Sequence, residues 1–199
     1  VDGDTVSFTA ASNFNGSETF TATVTDGEFS SSQTFTVTVN AVNDTPTLAA
    51  VAGVSFGEDS STSITLSGSD IDGDGLSYSV SGGTDITATV DGFTVTFTAS
   101  TNFSGSEDFT ATVTDGDLSG TQSFTVTVTP VNDAPTLAAV SSVSFDEDGS
   151  GSTTLSGSDI DSADLTYSIS GGTDITATVD GDTVSFTASQ DFNGSETFT

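Results

Sequence analysis

The sequence predicts an all-β chain of tandem two-sheet Greek-key sandwiches, with about seven strands in each 89-residue repeat. Three features point there. The chain repeats itself at a fixed interval, its apolar residues alternate with period two, and turn residues punctuate the alternation.

The interval is constant. Val1-Asp2-Gly3 recurs as Val90-Asp91-Gly92 and as Val179-Asp180-Gly181, a separation of 89 residues each time. The same offset links Asn43-Asp44 to Asn132-Asp133, Phe56 to Phe145, Tyr78 to Tyr167, and Phe14 to Phe103 and Phe192. Residues 43–131 therefore form one complete repeat. Residues 1–42 match 90–131, the C-terminal part of a preceding repeat, and residues 132–199 match 43–110, the N-terminal part of a following one. Both ends cut through a repeat, which predicts a window on a longer array.

Within a repeat the period is two. Val95, Phe97 and Ala99 alternate with Thr, as do Phe109, Ala111 and Val113, and Phe124, Val126 and Val128. This describes half-buried strands with one solvated face, and β-branched Thr suits that outer face. Seven strands are expected near 47–56, 62–67, 75–80, 84–90, 93–99, 108–114 and 121–129. Gly57, Gly73-Asp74-Gly75, Gly82-Gly83, Asp91-Gly92, Ser104-Gly105 and Asp115-Gly116 separate them. Seven short strands in about 90 residues read as a Greek-key sandwich.

Charge bounds the chemistry. The 199 residues include 29 Asp and Glu and no Lys, Arg or His, for a net charge of −29. No salt bridge between side chains can form, and self-repulsion opposes compaction unless cations neutralise it. Hard oxygen donors of this kind suit Ca²⁺. Solubility or adaptation to salt is the plainer explanation of the acidity. Nothing here can neutralise nucleic-acid phosphates or hold an anionic membrane surface. No apolar run is long enough for a membrane-spanning helix, so no membrane insertion is expected in this segment. Without Cys or Lys, neither disulfides nor Lys–Asn isopeptide bonds can staple the domains, and catalysis by His, Cys or Lys is excluded.

The acids cluster between strands. The densest run is Asp70-Ile71-Asp72-Gly73-Asp74-Gly75. It begins like an EF-hand loop, but Ser81 stands where the closing Glu belongs, and strands rather than helices flank it. The next copy reads Asp159-Ile160-Asp161-Ser162-Ala163-Asp164, so only Asp-Ile-Asp is kept. Other recurring acids are Glu58-Asp59 with Glu147-Asp148, Glu107 with Glu18 and Glu196, and Asp115 with Asp26. For Asp2, Asp4, Asp91, Asp180 and Asp182 the simpler role of turn former or solvated charge is preferred.

Val42-Asn43-Asp44-Thr45-Pro46 and Val131-Asn132-Asp133-Ala134-Pro135 resemble the N-D-x-P joint of cadherin repeats. Ser69-Asp70-Ile71-Asp72 followed by Leu76-Ser77-Tyr78-Ser79 resembles the cadherin D-x-D…Y-S segment. Asn102-Phe103-Ser104-Gly105 through Phe109, then Val113-Thr114-Asp115-Gly116, is similar to bacterial cadherin-like tandem repeats of the VCBS type, found in giant surface adhesins. The resemblance covers the whole chain. It implies Ig-like or cadherin-like sandwiches with a Ca²⁺ site at each junction. It assigns Asn43, Asp44, Asp70, Asp72, Asp115 and Glu18 to the 43/44 junction. It assigns Asn132, Asp133, Asp159, Asp161, Glu58, Asp59 and Glu107 to the 132/133 junction. Glu147 and Asp148, the counterparts of Glu58 and Asp59, complete the candidate metal ligands. The L-D-R-E motif of vertebrate cadherins is missing, and Glu107 is taken as its substitute.

The function this implies is a calcium-stiffened stalk or fibre module of an extracellular bacterial adhesin or surface filament, not an enzyme. Its expected partners are neighbouring repeats of the same or identical chains, with a cell-surface or matrix target. A carbohydrate- or cell-recognition module is the alternative from another class. A third reading completes residues 132–199 of one chain with residues 1–42 of another, giving a strand-complemented head-to-tail polymer.

Overall fold

A computed structural model describes residues 3–199; Val1 and Asp2, and with them the turn role read for Asp2, lie outside the described residues. The chain is all-β, with no helix among the described residues. It divides into two compact units, Val1–Thr129 and Pro130–Thr199.

The first unit opens with β1 (Gly16–Thr25) and β2 (Ser30–Val39), an antiparallel hairpin with Phe20 opposite Phe35. Asp26 sets its turn. One carboxylate oxygen accepts the Glu28 and Phe29 N–H groups at 3.0 and 2.8 Å, the Asx geometry that reverses a chain locally.

Nine strands follow in the complete repeat: β3 (Thr47–Leu48), β4 (Val54–Gly57), β5 (Ser61–Thr65), β6 (Gly68–Ser69), β7 (Ser77–Gly82), β8 (Ile86–Asp91), β9 (Thr94–Ala99), β10 (Gly105–Thr114) and β11 (Ser119–Thr129). One sheet has the order β4-β11-β10-β7 and the facing sheet the order β5-β9-β8, with β3 paired to β6. The inward residues of both sheets form one core, in which Phe97 meets Phe109 and Phe124 edge-on at 5.5 and 5.9 Å. Burying each such ring contributes about 2–3 kcal/mol. The Thr residues between them point outward, as the period-two pattern requires.

The strand boundaries correct the reading in two places. The expected strand 47–56 is broken, because β3 pairs antiparallel with β6 while β4 runs parallel to β11 in the other sheet. Residues 49–53 carry the chain from the β3–β6 pair to the edge of the four-stranded sheet, where β4 lies beside β11. The expected turn at Ser104-Gly105 is also displaced. Gly105 already pairs with Val128, and β10 is ten residues long.

The second unit contains β12 (Thr136–Leu137), β13 (Ser150–Thr154), β14 (Gly157–Ser158), β15 (Ile175–Asp180) and β16 (Thr183–Ala188). Its sheets, β13-β16-β15 and β12-β14, repeat β5-β9-β8 and β3-β6 at the 89-residue offset. Leu155, Val184 and Phe186 are its buried centre.

Candidate metal centre

The site grows out of the turn after β6. The Asp70 side chain accepts the backbone N–H groups of Asp72 and Gly73 at 2.8 and 3.1 Å through Oδ1. Gly73 supplies the positive φ of +81° that lets the chain fold back. This Asx turn brings Asp70, Asp72 and Asp74 together, with one carboxylate oxygen of each within 4.8 Å of the others. The second oxygen of Asp72 accepts the Asp44 N–H at 2.8 Å, tying the Asn-Asp-x-Pro segment to the cluster. Pro46, two residues on, is fully buried and anchors that segment.

One atom stands out. Asp70 Oδ2 is buried and has no hydrogen-bond partner. A buried carboxylate oxygen without a donor is costly, since such groups otherwise keep a proton donor or a cation. The donors around it are hard oxygens, which fit Ca²⁺ and fit soft metals poorly. Asn13, Asp44, Ser69, Asp70 and Ile71 line a surface recess at this place.

The same turn recurs in the second unit. Asp159 Oδ1 accepts Asp161 N–H at 2.8 Å and Ser162 N–H at 2.7 Å, and Asp161 accepts the Asp133 N–H at 2.6 Å. Ala163 occupies the position of Asp74, so this copy keeps two of the three carboxylates.

The remaining candidates are distributed differently. Asn43 donates its amide to Asp115 Oδ2 at 3.0 Å, while Asp115 Oδ1 accepts Asp117 and Leu118 N–H groups at 2.7 Å each. The Leu118 and Asp117 amides, then the Asn43 amide, hold the Asp115 carboxyl below its usual range. Asn132 instead bonds the Asp133 carbonyl at 2.8 Å. Glu58 is buried at the end of β4, where its N–H bonds the Thr129 carbonyl at 2.9 Å. Asp59, with a positive φ of 57°, accepts the Asn102 N–H at 3.3 Å. The eleven residues of β11 separate the Asp115 turn from Thr129, which at about 3.3 Å per residue puts Glu58 and Asp59 at the opposite end of the sandwich from Asn43. Glu147 and Asp148 are exposed, and Asp148 repeats the positive φ of Asp59. Glu18 is exposed on β1 opposite Val37.

Glu107 has an occupation the sequence did not disclose. Its two oxygens accept the N–H groups of Thr84 at 3.0 Å, Asp85 at 3.2 Å and Ile86 at 2.8 Å. Partial desolvation pushes this carboxyl up, but the Thr84, Ile86 and Asp85 amides together outweigh it and hold the group below its usual range. Glu196 does the same for Thr173, Asp174 and Ile175, with the same depression of its carboxyl by the Asp174, Thr173 and Ile175 amides. In this structure Glu107 therefore fastens its own domain's β7–β8 loop. Asp74 and Asn13 are the residues the reading passed over. Asp74 was visible as the third acid of its run, and Asn13 only as the counterpart of Asn102.

The bacterial Ig domain model matches the chain twice, over residues 43–129 and 132–199. The chain belongs to the bacterial Ig domain family. No curated protein matches this pair of bacterial Ig domains in sequence. Among solved structures the chain is similar to human protocadherin-24 EC1-2, with 14% identity over 75% of this chain and 80% of that one, at a TM-score of 0.39. It is similar to domains 4–9 of the surface layer protein SbsC, with 20% identity over 91% of this chain and 32% of that one, at a TM-score of 0.29. It is also similar to an endo-fucoidan hydrolase from glycoside hydrolase family 107, with 18% identity over 89% of this chain at a TM-score of 0.35. The chain spans 30% of that hydrolase's length.

Proposed function

We propose that these bacterial Ig domains form a calcium-stiffened stalk or fibre segment of an extracellular surface adhesin or filament, with repeats bounded at 1–42, 43–131 and 132–199. The observation that carries the reading is Asp70 Oδ2. It is a buried, unpartnered carboxylate oxygen beside Asp72 and Asp74, in a chain that has no Lys, Arg or His to neutralise it.

Asp70, Asp72 and Asp74 would hold the ion, and a bound Ca²⁺ would supply the positive charge the cluster lacks. The chain's own residues do the rest. The Asp70 turn orients the carboxylates, and Asp72 couples them through its hydrogen bond to the Asp44 amide. The Asn43–Asp115 bond fixes the neighbouring residue of the same linker to the β10–β11 turn. A cation here thus stiffens the segment where one repeat hands over to the next. Repeated, near-identical domains with acidic joints suit a spacer, and its partners are neighbouring repeats together with a cell-surface or matrix target.

Small-angle scattering in calcium and in chelator tests this reading. It predicts a longer maximum dimension and a narrower range of conformations in calcium. Superimposable curves would sink it.

A further inference from the structure

The loop leading into β1 and β10 differs among the copies at one telling position. Asn15-Gly16-Ser17 recurs as Ser104-Gly105-Ser106 and as Asn193-Gly194-Ser195. The glycine has a packing reason. The phenylalanine ring two residues earlier folds back over it, so that a Cβ would lie 3.0 Å from Phe103 Cζ at Gly105 and 2.8 Å from Phe192 Cζ at Gly194. Gly16 also holds φ at +138°, a conformation that other residues rarely adopt. The residue before the glycine has no such constraint. Asn15, Ser104 and Asn193 are all exposed and lie outside the strands. Ser104 shows that this exposure belongs to the loop of a complete repeat.

The other asparagines are set differently. Asn13 and Asn102 precede phenylalanine, whose side chain crowds the next backbone nitrogen. Asn43 and Asn132 precede Asp, and their amides are engaged, by Asp115 Oδ2 at 3.0 Å and by the Asp133 carbonyl at 2.8 Å. Asp26 and Asp115 also precede glycine, but each is a carboxylate that accepts two backbone amides, a poor target for a nucleophile. Only at 15 and 193 does an exposed side-chain amide stand before a nitrogen that no Cβ shields.

We infer that Asn15-Gly16 and Asn193-Gly194 are sites of spontaneous modification, at which the asparagine amide becomes a carboxylate with water as the co-reactant. The glycine backbone nitrogen gives up its proton and attacks the asparagine Cγ. The bond from Cγ to the side-chain nitrogen breaks, and that NH2 group takes the proton and leaves as ammonia. A five-membered succinimide remains. Water adds to one of its two carbonyls and opens the ring, giving Asp or its β-linked isomer; nothing is oxidised or reduced. Each conversion adds a carboxylate to a chain that has no cationic side chain. The β-linked product also lengthens the backbone by one methylene beside Gly16↔Val39, the end rung of the β1–β2 ladder, and loosens the hairpin from that end.

The test ages the full chain at mildly alkaline pH, both native and in urea. Each asparagine is followed by peptide mass spectrometry after cleavage at acidic residues, since the chain has no Lys or Arg for trypsin. In the native chain Asn15 and Asn193 should convert at least tenfold faster than Asn43 and Asn132, about 1.4 kcal/mol in barrier. The rate should rise with pH, because the attacking nitrogen must lose its proton. Asn15→Ser, which installs the residue of the complete repeat, should remove the signal at 15 and leave that at 193 unchanged. Conversion at 15 and 193 in urea but not in the native chain would mean that the fold shields them, and overturns the inference. Native rates at Asn43 and Asn132 equal to those at Asn15 and Asn193 overturn it as well.

Discussion

Replacing Glu107 by Gln should loosen the complete repeat from one loop. The native carboxylate accepts four hydrogen bonds from three consecutive amides, at 2.8 to 3.2 Å. Gln keeps one accepting oxygen and turns an NH2 group toward amides that also donate. Thr84 and Asp85 are exposed, so water replaces their lost bonds at small cost. Ile86 is buried, and its amide loses the shortest bond, so most of the penalty falls there. Leaving one such donor unsatisfied costs about 1–3 kcal/mol. For a domain of this size that lowers Tm by roughly 5–15 °C. The pH dependence has a definite sign. The folded carboxyl lies below its ordinary value of 4.5, so its stabilisation is present above that pH and is lost as pH falls through the folded value. Gln removes that part of the acid limb. Thermal melting at neutral and acid pH, with hydrogen exchange at the Ile86 amide, measures both effects. An unchanged Tm together with an Ile86 amide as protected as in the native chain would refute the clasp.

Three further outcomes follow from the packing. Gly83→Ala should cost about 2–5 kcal/mol, because φ is +74° and a Cβ would lie 2.2 Å from the Ile86 carbonyl oxygen and 2.6 Å from Phe109 Cζ. Gly92→Ala, at φ +60° with nothing within 4 Å, should cost only about 1–2 kcal/mol, as denaturant titration can distinguish. Phe97→Ala should cost about 3–5 kcal/mol, and its counterpart Phe8→Ala, 43% exposed in the segment before β1, less than half of that in the same titration. Tyr78→Phe should cost about 1 kcal/mol, since the phenol oxygen accepts the Gly68 N–H at 2.9 Å, with the loss visible as faster exchange of that amide.

The β architecture was legible because its signals are local. The Phe, Ala and Val alternation at 94–99 and 109–113 reports its own buried face, and the 89-residue offset carries each strand assignment to the next copy. The break in the strand at 47–56 was not legible. Ala49 to Val54 reads as a continuous apolar run, and only pairing with β6 and with β11 reveals that the chain changes sheets. The Asp70–Asp72 turn was readable from Asp spacing, because an Asx turn is made within four residues. The Glu107 clasp was not, because its partners are backbone amides 21 to 23 residues away, and backbone amides leave no mark in a sequence. The one available trace was the joint recurrence of Gly82-Gly83-Thr84-Asp85 with Glu107 and of Gly171-Gly172-Thr173-Asp174 with Glu196. Asp74 escaped the ligand set because Ala163 replaces it in the following copy, and a site defined by what repeats omits what one copy alone provides.

Calcium titration of the native chain and of Asp70→Asn by calorimetry tests the cation site most directly. Saturable binding to the native chain is expected, with at least a tenfold weaker affinity in the variant, about 1.4 kcal/mol or more. Binding that Asp70→Asn leaves unchanged, or no saturable binding to the native chain, would contradict it.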